Sequence, residues 1–315
     1  MRREAEPSIS LQNYFGKCVK AGYRLPLRYL AMQNFYGAND GQLIAAFDPT
    51  LLKECHFIDV FGGHQGAASN VFIDDTWRDI PDDMHGKWTI HRTNELAEQH
   101  VKILQSFHGL EELYFVGNGA QGPALAENEC VSPKSSVSAS TPRPSLNVDH
   151  VGLGRSYLHA ITINHGATLK ILLLSDQCGV EPEEMASLVR CCPNLAQLGL
   201  ALSGTTHEIF GFLVPFLPKL YALRVLANAW LTQSLEEHRL KQTWEEQLDD
   251  MGRMIYKSGP STLRWVGVGH EILRVGSPNH YKYENGTSEW GNKVHPATLQ
   301  EVSHLRVWGW DNHEI

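Results

Sequence analysis

The chain has 315 residues, 42 % of them hydrophobic and 20 % charged, which is ample apolar material for a sizeable core. A formal charge of -8, with Lys and Arg scattered among acids and a pI near 6.0, argues against a nucleic-acid backbone or an anionic membrane as the main partner. No run approaches the roughly 18 consecutive apolar residues that would span a bilayer.

In chain order, the opening Met1-Arg2-Arg3-Glu4 carries charge with no apolar run behind it, which predicts no secretory signal and a cytoplasmic or nuclear location. Residues 1–24 are expected to form an N-terminal helical cap. From there an apolar skeleton Leu-x-x-Leu-x-Leu-x-x-(Asn/Gln/Ser) recurs. Its clearest copies are Leu110/Leu113/Phe115/Asn118, Leu169/Leu172/Leu174/Gln177, Leu195/Leu198/Leu200/Ser203 and Leu220/Leu223/Val225/Asn228. Looser copies are Leu27/Leu30/Met32, Cys55/Ile58/Val60, Leu263/Val266/Val268 and Leu305/Trp308/Trp310, each taken as a strand. The copies at 169, 195 and 220 lie 26 and 25 residues apart, inside the period of about 20–29 residues of one class of repeat arrays.

Helical stretches precede the strands. Residues 94–107 carry apolar positions at helical spacing. Glu181-Pro182-Glu183-Glu184 opens another helix, with proline at its start and acids at the positive end of its dipole, and Cys192-Pro193 stops it. Thr205 with Glu208 reads as a capped start of a third. The long steps between copies need insertions. The Ser/Pro-rich stretch at 121–149 has too little apolar surface to offset its ordering entropy and is expected to be a disordered loop. Residues 232–258 carry Leu248, Met251 and Ile255 on one face and predict an extra amphipathic helix, while 275–294 reads as a loop. A degenerate copy is expected near Lys87–Ile90.

Helix, short turn and strand repeated at this spacing resemble the leucine-rich repeats of the ribonuclease-inhibitor type. The Cys192-Pro193-Asn194-Leu195-x-x-Leu198-x-Leu200 segment is similar to repeats of fungal F-box/leucine-rich-repeat proteins. That resemblance implies an α/β fold: a solenoid over 25–315 with a curved parallel sheet on its concave face and helices on its convex face. It also implies a non-catalytic protein-protein interaction scaffold, the substrate-recruiting part of a ubiquitin ligase, and a Skp-type adaptor as partner. Residues 1–30 lack the Leu-Pro-x-Glu opening of an F-box; only Leu25-Pro26 is similar to it.

If the repeat frame holds, the residues between its apolar positions project from the concave sheet. They are Tyr29, Asp59, Phe61, Glu112, Tyr114, Gln197, Arg224 and Trp265, with Tyr114, Arg224 and Trp265 as the anchors for a protein ligand. Ile171 and Leu173 at equivalent positions suggest that part of this face is covered, with the 119–150 segment as the expected cover.

Other features promise chemistry. Gly117-Asn118-Gly119-Ala120-Gln121-Gly122 spells a dinucleotide fingerprint after a strand-like run, and an α/β enzyme holding a nucleotide there is the alternative. Pro123 follows at once, however, and no second strand ends in an acid at the required distance. The pairs Asp74-Asp75, Asp82-Asp83 and Asp249-Asp250 hold adjacent residues that point apart. The 16 histidines form no His-Glu-x-x-His, and the 6 cysteines show no Cys-x-x-Cys, so no metal site is expected and Cys55 with Cys191 or Cys192 is assigned to the core. No cofactor is expected, and Asn285-Gly286-Thr287 is taken as an unused sequon in a loop.

Overall fold

A computed structural model describes residues 11–33, 41–59, 98, 100–117, 150–175, 178–202, 210–211, 213–226, 244–258, 262–269, 271–282 and 286–309. The fold is mixed α/β around one open, mostly parallel sheet of ten strands. Strands β1 (Tyr29–Gln33), β2 (Glu54–Asp59), β3 (Glu112–Gly117), β4 (Ile171–Leu173), β6 (Gln197–Leu202), β7 (Ala222–Val225) and β8 (Trp265–Val268) lie side by side in chain order, all parallel. The short β5 (Gly179–Val180) pairs with the end of β6. Then the direction reverses, and β9 (Glu271–Lys282) and β10 (Ser288–Ala297) add antiparallel.

Register explains why leucine recurs. Leu30, Cys55, Leu113, Leu172, Leu198, Leu223 and Val266 stand opposite one another in a single row, and all are buried. Two residues on, Met32, Phe57 and Phe115 form the next inward row. Both rows belong to a core shared with Phe15, Leu43, Leu104, Tyr157, Leu188 and Ile255 from the helices. At the entrance of each strand, one carbonyl accepts two successive amides from the next strand's approach. Arg28, Lys53, Glu111, Lys170, Ala196 and Tyr221 do so in turn, at 2.7–3.2 Å. Each of these strands therefore seats on its predecessor through an equivalent pair of hydrogen bonds.

The helices follow their local signals. Leu11–Lys20 turns Phe15 and Cys18 inward, and Pro182–Cys191 begins at its proline and ends before Pro193. Residues 100–106 are helical, and the anticipated amphipathic helix is present as Trp244–Lys257. It rests on β10 so closely that a Cβ at Gly252 would lie 2.0 Å from the Asn292 carbonyl oxygen. Of the two cysteines offered for the core, Cys192 is buried and Cys191 exposed.

Four expectations need correction. The sheet is not wholly parallel, because β9 and β10 close it as an antiparallel ribbon. Residues 275–282 and 288–294, expected in a loop, instead make up most of that ribbon, with Val275 and Val294 directly opposed and buried and most of the polar remainder exposed. The copy at Leu305 is not a strand but a 3₁₀ turn over Arg306–Trp308. The frame placed at Cys55/Ile58/Val60 is displaced by three residues, since the inward residues are Leu52, Cys55 and Phe57. Asn118, Gln177, Ser203 and Asn228, the 121–149 stretch and Lys87–Ile90 lie outside the described residues.

Candidate interaction face of the sheet

Because side chains alternate along a strand, the residues between the inward rows form two rows on the opposite face. One row is Tyr29, Glu54, Glu112, Ile171, Gln197, Ala222 and Trp265; the other is Ala31, His56, Tyr114, Leu173, Gly199, Arg224 and Gly267. Of the eight residues expected on this face, six share these rows: Tyr29, Glu112, Tyr114, Gln197, Arg224 and Trp265. Asp59 instead ends β2 opposite Gly117, and Phe61 lies outside the described residues. Both belong to the displaced frame.

The face is divided. Over β4 to β8 it is covered by the chain's own C-terminal segment. Thr298 and Glu301 cap a short helix, Leu299–Val302, through a hydrogen bond from the Thr298 amide to Glu301 Oε2 at 2.9 Å, and the 3₁₀ turn follows. Val302, Leu305, Val307 and Trp308 bury themselves against Ile171, Leu173, Ala222, Trp265 and Ile272, forming a second apolar core. Small residues let the segment approach: a Cβ at Gly267 would stand 2.8 Å from Trp308 Cζ2. Polar atoms fix it in register. Arg224 donates from Nη1 to the Val307 carbonyl at 2.8 Å, and the Val307 amide donates to Gln197 Oε1 at 3.4 Å. Arg224 and Trp265, offered as anchors for a partner, thus hold this strap instead, and Trp265 Nε1 donates to Tyr221 Oη at 3.3 Å. The expected cover at 119–149 lies outside the described residues, and the cover that is described is residues 299–308.

At the strap's edge, β1 to β3 carry a polar and aromatic group, of which Tyr114 shares the strap's apolar cluster and Tyr29 is half exposed. The His56 ring lies 4.9 Å from that of Tyr29 and 4.4 Å from that of Tyr114. His56 donates from Nε2 to Glu54 Oε1 at 2.7 Å, and Tyr114 Oη donates to Glu112 Oε2 at 2.6 Å. Burial lowers the His56 pKa below the usual histidine range, although the Glu54 carboxylate pulls the other way. Burial, then the Glu112 carboxylate, holds the Tyr114 hydroxyl protonated far above its ordinary range. At neutral pH both rings are uncharged, and the free charge of the group is that of its carboxylates.

Arg306 answers that charge from the strap, 3.8 Å from Glu54 and 3.7 Å from Glu112. Its side chain is 56 % exposed, so water screens both contacts. Arg306→Ala should cost no more than ~1 kcal/mol in urea denaturation. A loss of several times that would mean Arg306 is a principal fastening of the strap. Sequence reasoning missed Glu54, His56 and Arg306; the first two follow from the register once Leu52 rather than Cys55 opens the frame.

Among the described residues no three of His, Cys, Asp and Glu converge so as to hold a metal ion. No described helix is long and apolar enough to cross a membrane. The chain matches no protein-family model, no curated protein and no solved structure.

Proposed function

We propose that this chain is a protein-interaction scaffold of the leucine-rich-repeat kind, a solenoid whose sheet face receives a partner protein at the β1–β3 end. The observation that carries the reading is the repetition of one seating geometry: the same carbonyl takes the same pair of amides at six successive strand entrances, with one unbroken inward row of Leu-type residues. Repetition of that kind builds an extended surface rather than a pocket around one reaction.

The nucleotide alternative is less well supported. A doubly wound fold binds its ligand where strand order reverses, whereas β1 to β4 and β6 to β8 are laid down in chain order. Gly117 ends β3, and residues 118–122 of the glycine-rich run lie outside the described residues.

On this proposal the contact residues are those at the partly exposed end: Tyr29, Glu54 and Glu112, with Arg306 beside them. Tyr114, Arg224 and Trp265 are unsuited to a binding test because they are buried. A Tyr29→Ala, Glu54→Lys, Glu112→Lys variant, confirmed as folded by circular dichroism, should lose its specific partner from affinity capture read by mass spectrometry. Unchanged recovery of every partner would remove this end of the face. A Skp-type adaptor bound elsewhere would persist through the same substitutions.

A further inference from the structure

We infer that residues 14–29 form a second docking surface, fitted to an acidic, apolar-bearing segment of a partner protein. It goes beyond the sheet-face reading and does not depend on it; Tyr29 is where the two surfaces meet.

Charge is the first observation. The whole chain carries -8, yet residues 11–33 contain four cations and no Asp or Glu. Lys17, Lys20, Arg24 and Arg28 are all exposed. Arg24 lies near enough to Asp48 to help lower the pKa of that carboxyl. Among the described residues no carboxylate forms an ion pair with Lys17, Lys20 or Arg28.

Exposed apolar area is the second and independent observation. Tyr14 is 47 %, Val19 39 %, Tyr23 55 % and Tyr29 50 % exposed. Local structure sets Tyr14, Lys17, Arg28 and Tyr29 at the surface. Phe15 packs edge-on against Phe47 at 5.4 Å, which turns Tyr14 and Lys17 outward. The chain reverses at Gly22, whose φ of 66° favours glycine, and the Tyr23 amide bonds the Cys18 carbonyl at 2.9 Å. A parallel bridge from Leu25 to Phe47 then delivers Arg28 and Tyr29 to β1, the outermost strand of the sheet at this end.

The chemistry favours protein over other polyanions. Tyrosine offers rigid contact area with a polar tip and, with Arg, dominates protein interfaces. Four cations on a chain of net charge -8 are a thin footprint for a phosphate backbone. An interfacial membrane helix would present Trp, Phe or Leu where this one presents tyrosines. An acidic segment with apolar side chains matches both the charge and the rings.

The test uses the full chain and a fluorescein-labelled synthetic peptide of Glu and Leu without basic residues, followed by fluorescence anisotropy. Binding should weaken at least ~10-fold on raising salt from low to physiological strength. Lys17→Glu/Lys20→Glu/Arg28→Glu should abolish it. Tyr14→Ser/Tyr23→Ser, which leaves the charge alone, should weaken it ~10-fold. Lys282→Glu/Lys293→Glu at the far edge of the sheet should change nothing. Absence of peptide binding, binding indifferent to both variants of the cap, or tighter cap-dependent binding of an oligo-dT strand or of phosphatidylserine vesicles would each overturn the proposal.

Discussion

Trp308→Ala should destabilise the chain by ~3–5 kcal/mol, the usual cost of removing a buried tryptophan and leaving its cavity. Trp308 is wholly enclosed and lies against Gly267 in the second core. The loss should exceed that of an ordinary core truncation because the strap is short. Without Trp308, the strap's buried apolar hold on the sheet falls to Val302, Leu305 and Val307, and a detached strap would expose Ile171, Leu173 and Trp265 to water. The variant should therefore show a lower urea midpoint and new binding of a dye for apolar surface. A companion change isolates the contact. Gly267→Ala drives a methyl into the Trp308 ring and should cost ~1–3 kcal/mol in the parent, but much less when Trp308 is already alanine. Equal costs in both backgrounds would show that the ring does not bear on Gly267.

Acid should destabilise the protein steeply between about pH 6.5 and about 4.5. Burial pulls the His100 pKa down to about 3 and the His165 pKa down to about 4. His100 stacks on Phe57 at 4.1 Å with Nδ1 3.1 Å from Tyr157 Oη. His165 sits between Leu104 and Leu110, with Nε2 2.9 Å from the Leu104 carbonyl and Nδ1 accepting from the Leu110 amide at 3.4 Å. The second bond needs a lone pair, so protonation breaks it.

Both folded values are depressed below the ordinary 6.5, so on acidification the unfolded chain takes up protons first. The stabilisation is complete above about pH 6.5 and lost as the pH falls toward the folded values. Near pH 4.5 each histidine should have cost between about 2 and 3 kcal/mol, and the two roughly 5. Asp48, Glu111 and Glu301, held below the usual carboxylate range by their hydrogen bonds to Thr50, Lys170 and Thr298, contribute their loss only at lower pH. Urea midpoints measured from pH 7 down to about 4.5 should fall steeply, and His100→Phe should flatten the slope by about half. A stability constant across that range would contradict the burial of both rings.

Strands β3, β4, β6, β7 and β8 were readable from sequence because two constraints coincide at the same residues. Leu113, Leu172, Leu198, Leu223 and Val266 must alternate with outward residues, and each must also meet its counterpart in the next strand. The frame failed where one constraint was weak. Cys55 is a small apolar residue that fits several registers, and the copy built on it slipped. Leu305 and Trp308 share the i, i+3 spacing of the repeat, which a 3₁₀ turn satisfies equally well, so the strap passed for another strand. The ribbon at β9 and β10 had a signal that went unused: Asn285-Gly286 is a hairpin dipeptide, and Gly286 has φ of 79°. The division of the outward face was beyond sequence reasoning. It depends on residues 298–308 folding back onto strands that begin as far away as residue 171, and no local pattern encodes that return.

Photo-crosslinking from defined positions tests the central claim most directly. A benzophenone side chain placed at Tyr29, on the partly exposed end of the sheet face, should trap the bound partner protein. The same group at Ile163, 67 % exposed on the helix side, should trap none. Crosslinks from Ile163 with none from Tyr29 would place the partner on the helices and contradict the account.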